Sequence, residues 1–148
     1  MTHTLSQIPP KPPGDVVRGF LPDHEGQQLY EWASQAAPVG PLLEIGSYCG
    51  RSTIWLGQAA QAHDAVLFAL DHHRGSEEHQ PGESHHDEAL VDTTGQFDSF
   101  SEFRSNIAAA GLENTIIPVV ASSEIVGLHW QGGLGMVFID GGHSLNAA

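Results

Sequence analysis

An aspartate and a histidine near the carboxyl-terminal end of the sequence are suited to acid–base chemistry. Asp140 and His143 stand three positions apart across a glycine pair, in the stretch GMVFIDGGHS. An imidazole ionises near neutral pH and can act as a general base toward a hydroxyl group. A carboxylate can hold a divalent cation, which would lower the pKa of a bound hydroxyl. The alternative interpretation is a turn with a capping aspartate and a surface histidine.

The stretch PLLEIGSYCGRSTIW predicts a buried strand, a glycine turn and a helix, with the strand at residues 42–46 and the helix at about 51–63. Turns of this kind bring backbone close to a nucleotide-like ligand at the carboxyl edge of an α/β sheet. Gly46 can adopt a backbone angle that is closed to other residues. The free N–H groups at the start of the helix point toward the same place.

The glycine spacing discriminates between nucleotide ligands. Dinucleotide-binding turns use three glycines in the order G-x-G-x-x-G, because a pyrophosphate lies on the turn. This chain has Gly46 and Gly50 with three residues between them, and Glu44 stands two positions before the first. The pattern therefore disfavours an NAD-dependent oxidoreductase.

A second acid follows the next predicted strand, the apolar run VLFAL at residues 66–70. Asp71 comes directly after this run and 25 residues after Gly46. An acid at the end of the second strand of such a unit can hold a ribose by two hydrogen bonds. The alternative is a loop acid that caps a turn, and we place the ribose role ahead of it.

Residues 72–96 form a long connection that contains five histidines and many acids. Loops of this length are usually functional or disordered. Three interpretations compete, namely a solvated acidic loop, a lid over the carboxyl edge of the sheet, and a metal site. The histidine spacings match no tight ligand pattern, so the metal interpretation is weak. We favour the lid, with Arg74 as its one cation and His72 as the loop residue that touches the ligand.

Three further elements complete the predicted framework. A helix over 23–37 has Asp23 as its cap, and it presents one apolar face formed by Leu29, Trp32, Ala33 and Ala36. A second helix over 99–112 begins with the capping box Ser99–Glu102, and its stripe is Phe103, Ile107 and Ala110. A strand over 115–121 contains Pro118, which cannot donate to a ladder and therefore predicts a sheet edge.

Two short elements follow these. Ser122 is predicted to cap a short helix that ends at Leu128. The run GMVFID at 135–140 is the fourth predicted strand, and it places Asp140 beside the glycine turn if strand four neighbours strand one.

The composition restricts the classes of partner. The chain has 148 residues, a formal net charge of −13 and only five Lys plus Arg. Without clustered cations, nucleic acid and anionic membrane surfaces are unlikely partners on charge alone. The single cysteine, Cys49, excludes an internal disulfide and fits a reducing compartment. No run is long enough to span a membrane and no signal peptide is recognisable, so we expect a cytoplasmic protein.

The three motifs LLEIGSYCG, LFALD and IDGGHS, in this order and spacing, resemble the O-methyltransferase-like branch of the class I S-adenosylmethionine-dependent methyltransferases. The resemblance implies an α/β fold with a doubly wound, mostly parallel Rossmann-like sheet and helices on both faces. It implies S-adenosylmethionine as the cofactor. The cofactor-binding positions would be Glu44, Gly46, Ser47, Gly50, Asp71, His72, Ser122 and Asp140.

The same resemblance suggests catalytic roles. In metal-dependent sugar O-methyltransferases, the aspartate of a matching D-x-x-H motif binds magnesium and the histidine serves as base. By this likeness Asp140 is a candidate metal ligand and catalytic residue, with magnesium as a candidate ion, and His143 is the candidate base. The family sheet has the order 3-2-1-4-5-7-6, whereas this sequence stops at Ala148. We therefore expect the last three strands to be missing and strand four to be an exposed edge.

Together these observations predict two units and one favoured function. Residues 1–19, which include PPKPP, are predicted to be a flexible arm, and residues 20–148 form an incomplete cofactor-binding domain. The favoured function is transfer of a methyl group to a hydroxyl of a small-molecule acceptor. The alternative is a non-catalytic nucleotide-fold module that associates as a homo-oligomer through its open sheet edge.

Overall fold

The computed structural model describes residues 8–76, 79–80, 82–83 and 86–140. Helices and strands alternate along this part of the chain, as the apolar runs predict. The helices are α1 (Asp23–Ala36), α2 (Arg51–Ala62), α3 (Phe100–Ala109) and α4 (Ser123–His129). The strands are β1 (Leu42–Ile45), β2 (Leu67–Leu70), β3 (Ile116–Val119) and β4 (Met136–Ile139), and a short 3-10 turn spans Glu88–Leu90. The predicted strands are each longer than the observed ones by one to three residues.

The four strands form one parallel sheet in the order β3-β2-β1-β4. This is a Rossmann-like arrangement, and it confirms the predicted fold class. Pro118 lies in β3 at the sheet edge, where its missing N–H leaves no gap in a central ladder. The order also places β4 beside β1, so the residues that follow these two strands emerge as neighbours.

One continuous core joins the helices to the sheet. Leu29 and Ala33 of α1, Trp55 of α2 and Phe103 of α3 are all buried in it. Gly26 allows α1 to approach α2 closely, because a Cβ at this position would lie 2.1 Å from Nε1 of Trp55. The start of α2 borders the glycine turn.

Some predicted helix details are wrong. Trp32 of α1 is 55% exposed, and Tyr30 takes its place in the core. Pro22 occupies the position before α1, and no side chain caps this helix, so Asp23 is its first residue. Amphipathic spacing does not distinguish a large aromatic residue at the margin of the apolar face from one at its centre.

The predicted capping box of α3 is also absent. Ser99 precedes the helix, but its side chain makes no capping bond. Its Oγ lies 2.8 Å from Nδ1 of His73, and Asp98 accepts the N–H of Phe100 instead. Glu102 bonds to Arg18. Ser99 and Glu102, the two side chains of the predicted capping box, therefore bond to residues outside the helix.

The described part of the arm, residues 8–19, makes several contacts with the domain, and its predicted flexibility stays a prediction. The backbone of Lys11 exchanges two hydrogen bonds with the amide of Gln58, at 2.7 and 2.8 Å. Val17 is buried. Nε and Nη1 of Arg51 donate to the carbonyls of Leu21 and Val17, at 2.8 and 3.2 Å. The first residue of α2 therefore holds the arm beside the carboxyl end of the sheet.

β4 is an edge strand in the described part of the chain, where its one pairing partner is β1. Val137 and Ile139 of this strand are 46% and 67% exposed. In the same described residues, none of the helices is both long enough and apolar enough to cross a membrane.

Candidate functional site

A cavity of about 660 Å³ lies at the carboxyl ends of the strands. The turn after β1, the residues after β2 and the start of α4 form its floor, and the arm and the long loop form its upper walls. Six of the predicted site residues line it, namely Gly46, Ser47, Asp71, His72, Ser122 and Asp140. The structure therefore brings together residues that are up to 94 positions apart, as expected when parallel strands end at a shared edge.

The glycine turn has an unusual backbone. Gly46 and Gly50 have φ values of +93° and +97°, and between them Tyr48 has φ +51°. The left-handed region is unfavourable for residues with a Cβ, and such strain is often found at ligand sites. Gly46 lines the cavity. Gly50 instead faces α3, since a Cβ there would lie 3.3 Å from Cδ1 of Ile107. Gly50 therefore packs against α3 and does not line the cavity, and its cofactor contact stays a prediction.

The carboxylate of Asp71 joins two parts of the site. Oδ2 accepts the backbone N–H of Tyr48 and Oδ1 accepts that of His73, both at 2.8 Å. His73 also has a left-handed backbone, with φ +61°. Each carboxylate oxygen can accept more than one hydrogen bond, so both retain capacity toward the cavity. The orientation of Asp71 is thus set before any ligand binds.

Glu44 lies below the turn and not in the cavity. Its side chain is fully buried, and it accepts hydrogen bonds from the hydroxyls of Ser52 and Thr53. Burial raises the pKa of Glu44 to about 7, against the lowering effect of these hydroxyls, and Asp140 raises it further. In this placement Glu44 anchors the start of α2, and its cofactor-binding role stays a prediction.

The side-chain hydroxyl of Ser47 makes no hydrogen bond of normal geometry to the described residues of the protein. Its Oγ is buried and unpaired, although it lies near enough to Glu44 to lower the pKa of that carboxyl. Buried hydroxyls normally have a partner, and for Ser47 the nearby carboxylate of Glu44 is the acceptor that the geometry offers.

The remaining described site residues lie around the rim. Ser122 is the cap of α4, as predicted, and its Oγ accepts the N–H of Ile125 at 3.3 Å. His72 is at the start of the long loop, where its Nδ1 accepts the N–H of Arg74. The N–H of Asp140 donates to the carbonyl of Ile45 at 2.8 Å, so the acid stands directly beside the glycine turn. His143, the predicted base, lies outside the described residues.

The described part of the long loop forms a wall of the cavity. The ring of His79 stacks on Tyr48 with 5.4 Å between centroids, and it also contacts Phe97 at 5.2 Å. Arg74 pairs with Asp92 at 2.9 Å, which holds the base of the loop together. These contacts place the described part of the loop on the cavity wall, and its action as a lid stays a prediction.

A metal site is not assembled by the described residues. Among them, no three His, Cys, Asp or Glu side chains are grouped closely enough to hold an ion. Asp140 is the one predicted magnesium ligand that the structure describes. The magnesium hypothesis therefore gains no support from the part of the chain that is placed.

Sequence reasoning missed several contributors to the cavity, three of which are Arg18, Phe20 and Tyr48. Arg18 comes from the arm, Phe20 directly follows it, and Tyr48 comes from the turn itself. A sequence signal existed for Tyr48, since an aromatic residue between two turn glycines has few structural reasons to be there. No comparable signal existed for Arg18, whose partners Asp87 and Glu102 lie 69 and 84 positions away.

The comparisons with known proteins agree with this architecture. A family model described as a methyltransferase domain matches residues 43–148. The chain is similar to the crystal structure of cofactor-bound Rv0187 from MTB, at 25% identity and a TM-score of 0.51, over 78% of this chain and 43% of that one.

Two further solved structures share the fold. One is the O-methyltransferase TomG from Streptomyces achromogenes in complex with SAM, at 20% identity and TM-score 0.55, with 82% of this chain and 45% of that chain covered. The other is an O-methyltransferase from Bacillus cereus in complex with SAH, at 20% identity and TM-score 0.55, with 85% and 48% covered. The chain spans less than half the length of each of these proteins. The match over residues 43–148 shows that this chain belongs to the methyltransferase-domain family, within the class I S-adenosylmethionine-dependent methyltransferases.

Proposed function

We propose that this chain binds S-adenosylmethionine and contributes to methyl transfer onto a hydroxyl group of a small molecule. The observation that carries the proposal is the preset carboxylate of Asp71 beside the Gly46 turn. Both of its oxygens are fixed by backbone N–H groups at 2.8 Å and border a cavity of about 660 Å³. A carboxylate in this position suits the two hydroxyls of a ribose.

The other residues would hold the remaining parts of the cofactor. The turn at Ser47 and the carboxylate of Asp140 line the part of the cavity proposed for the charged amino-acid portion of the cofactor, and the anionic carboxylate suits its ammonium group. His72 and Ser122 line the side of the cavity that would receive the adenine. When bound, S-adenosylmethionine supplies an electrophilic methyl group.

The acid–base part of the proposal concerns Asp140 and His143. As the acceptor oxygen gains a methyl group, its hydroxyl proton must be removed. His143 is the proposed base for this proton, and Asp140 would orient the acceptor near the turn. The long loop would limit the access of water to this region.

Calorimetry with S-adenosylhomocysteine tests the ribose assignment. Wild type should bind it, and should bind its 2′-deoxyribose analogue about tenfold or more weakly, because a hydrogen bond to a carboxylate is lost. In Asp71→Asn the two ligands should bind almost equally. Asp64→Asn is the matched control, since Asp64 follows α2 and does not line the cavity.

The same experiment separates the alternatives. If Asp71→Asn still discriminates between the two ligands as wild type does, Asp71 does not hold the ribose. Tight binding of NAD, with no binding of S-adenosylhomocysteine, would instead support an oxidoreductase.

A second candidate function is association through the sheet edge. It is favoured by the exposed apolar side chains of Val137 and Ile139 on β4. Concentration-dependent dimer formation in sedimentation equilibrium, abolished by Ile139→Lys, would support this homo-oligomer. A monomer at all concentrations would exclude it.

A further inference from the structure

The two ends of the long loop meet at one pair of residues, His73 and Ser99. His73 lies two positions after Asp71, and Ser99 directly precedes α3. The backbone N–H of Ser99 donates to the carbonyl of His73 at 3.0 Å. The side chains also meet, since Oγ of Ser99 lies 2.8 Å from Nδ1 of His73. We call this pair the loop clasp, because it joins residues that are 26 positions apart.

The ring of His73 is buried against α3 and not against the cavity. The residue is 1% exposed, and the centroid of its ring lies 5.3 and 5.2 Å from those of Phe100 and Phe103. His73 is not among the described residues that line the cavity. Its Nε2 is buried, and no described residue gives it a hydrogen bond. Within the described part of the chain, Ser99 is therefore the one hydrogen-bond partner of this imidazole.

The backbone of His73 has a conformation that its surroundings must maintain. Its φ is +61°, in the left-handed region that is unfavourable for a residue with a Cβ. Such conformations persist where neighbouring contacts restrain them. The loop clasp restrains His73 twice, through its carbonyl and through its ring. In this conformation the N–H of His73 donates to Oδ1 of Asp71 at 2.8 Å.

The loop clasp therefore acts on the acid that faces the cavity. The carboxylate of Asp71 is held at Oδ2 by the N–H of Tyr48 and at Oδ1 by that of His73. If the N–H of His73 moves away, one anchor is left and the carboxylate can rotate about it. Two hydroxyls of a ribose need both oxygens in place at the same time, and an acceptor that is already ordered loses less entropy on binding.

We propose that His73 is a positioning residue for the cofactor, and that the loop clasp enables Asp71 to recognise the 2′-hydroxyl of a ribose. This inference rests on the proposed function, because it assumes that the ribose lies at Asp71. His73 acts through its N–H on Asp71, while its ring stays packed against α3. The long loop is thereby joined to cofactor recognition at its base.

Calorimetry with S-adenosylhomocysteine and its 2′-deoxyribose analogue tests this proposal. The measured quantity is the ratio of the two dissociation constants, which should be about tenfold or more in wild type. Ser99→Ala removes the hydroxyl of the clasp but keeps its backbone bond, and it should lower this ratio to about threefold. His73→Phe keeps an aromatic ring against α3 and should lower the ratio to a similar value. A merely structural role would weaken the binding of both ligands equally and leave the ratio unchanged.

A double variant separates the clasp from a direct contact of Ser99 with the ligand. Ser99 also lines the cavity, so a direct contact is the competing explanation for any effect of Ser99→Ala. If the two side chains act through their mutual hydrogen bond, the variant that carries both Ser99→Ala and His73→Phe should have the same ratio as either single variant. Independent effects would instead multiply and bring the ratio close to one.

Two matched controls carry the same substitutions elsewhere. Ser105→Ala is on the exposed surface of α3. His63→Phe follows α2, and His63, like His73, has a buried Nε2 without a partner among the described residues. Neither residue is among the described residues that line the cavity, so both variants should keep the wild-type ratio.

An unchanged ratio in either folded variant would overturn the proposal, and so would multiplied effects in the double variant. Ser99→Ala decides alone if His73→Phe does not fold. In these cases S-adenosylhomocysteine still binds and the proposed function stands. If wild type binds both ligands equally, Asp71 does not recognise the 2′-hydroxyl and this inference fails, although cofactor binding stands. If S-adenosylhomocysteine does not bind to wild type, the proposed function is wrong and this inference fails with it.

Discussion

The backbone N–H of Tyr48 donates a 2.8 Å hydrogen bond to Oδ2 of Asp71, and this bond ties the turn after β1 directly to the acid after β2. Tyr48 makes this bond from a left-handed backbone conformation, with φ +51°. At the carboxyl edge of the sheet, the carboxylate of Asp71 thus holds the strained backbone of Tyr48 in place. Asp71 therefore has a structural role as well as its proposed role toward the ribose.

The strain at Tyr48 can be measured with a pair of variants. Tyr48→Ala and Tyr48→Gly both remove the ring, but only glycine adopts this φ without a steric penalty. We expect Tyr48→Gly to be more stable than Tyr48→Ala by about 1 kcal/mol in urea denaturation. The same pair at Trp32, which lies within α1, should show the opposite order, because glycine is unfavourable in a helix. Equal stability of the two Tyr48 variants would show that the backbone is not strained there.

Glu44 should make stability depend on pH. Its pKa is raised from 4.5 to about 7 in the folded state, so the native protein binds more protons than the unfolded chain between these values. Stability should therefore fall as the pH rises from about 4.5 to 7, by at most about 3 kcal/mol.

Glu44→Gln should remove this fall, and urea denaturation at several pH values measures it. Glu31→Gln is the control, because Glu31 lies on the exposed surface of α1. A decline of the same size in wild type and Glu44→Gln would assign the pH dependence to another group.

The contact between α1 and α2 should not tolerate a methyl group at Gly26. A Cβ there would lie 2.1 to 2.5 Å from three atoms of the Trp55 ring. Gly26→Ala should destabilise the protein by about 3 kcal/mol or more, because Trp55 is buried and cannot move freely.

Gly127→Ala provides the matched comparison in α4. No atom lies within 4 Å of a Cβ at that position, so the substitution should raise stability by up to about 1 kcal/mol. Thermal denaturation of both variants measures the difference. If Gly26→Ala were as stable as wild type, the inference that α1 and α2 are in close contact at Gly26 would be wrong.

Arg18 should hold the arm against the long loop. Its pKa is raised, chiefly by the hydrogen bond to Glu102, and it pairs with Asp87 as well. The side chain is 39% exposed, so Arg18→Ala should lower stability by no more than about 1 kcal/mol. The main effect should be faster proteolytic cleavage within residues 72–96. Mass spectrometry of the fragments over time measures this rate.

The control for this prediction is Arg104→Ala, since Arg104 is exposed on α3. Its cleavage rate should equal that of wild type. Equal rates in Arg18→Ala and Arg104→Ala would show that the arginine does not restrain the loop.

Local pattern was sufficient to predict the framework of this protein. The strands predicted at residues 42–46, 66–70 and 135–140 each contain a strand of the structure, because short, mostly apolar runs are typical of strands in a parallel sheet. The spacing from Gly46 to Asp71 placed both residues at one edge of the sheet, because parallel strands end on the same side. This is why six of the predicted site residues line one cavity.

The sequence by itself determined the strands, the glycine turn and the acids that follow β2 and β4, since these depend on neighbours within a few residues. Only the tertiary structure decided which side chains face the cavity. In the structure Glu44 is buried below the turn and Gly50 packs against α3. Ser99, the predicted cap, instead bonds to His73. Arg51 and Arg18 hold the arm through hydrogen bonds. Each of these outcomes depends on partners that are distant along the chain, and periodicity and composition carry no information about such pairs.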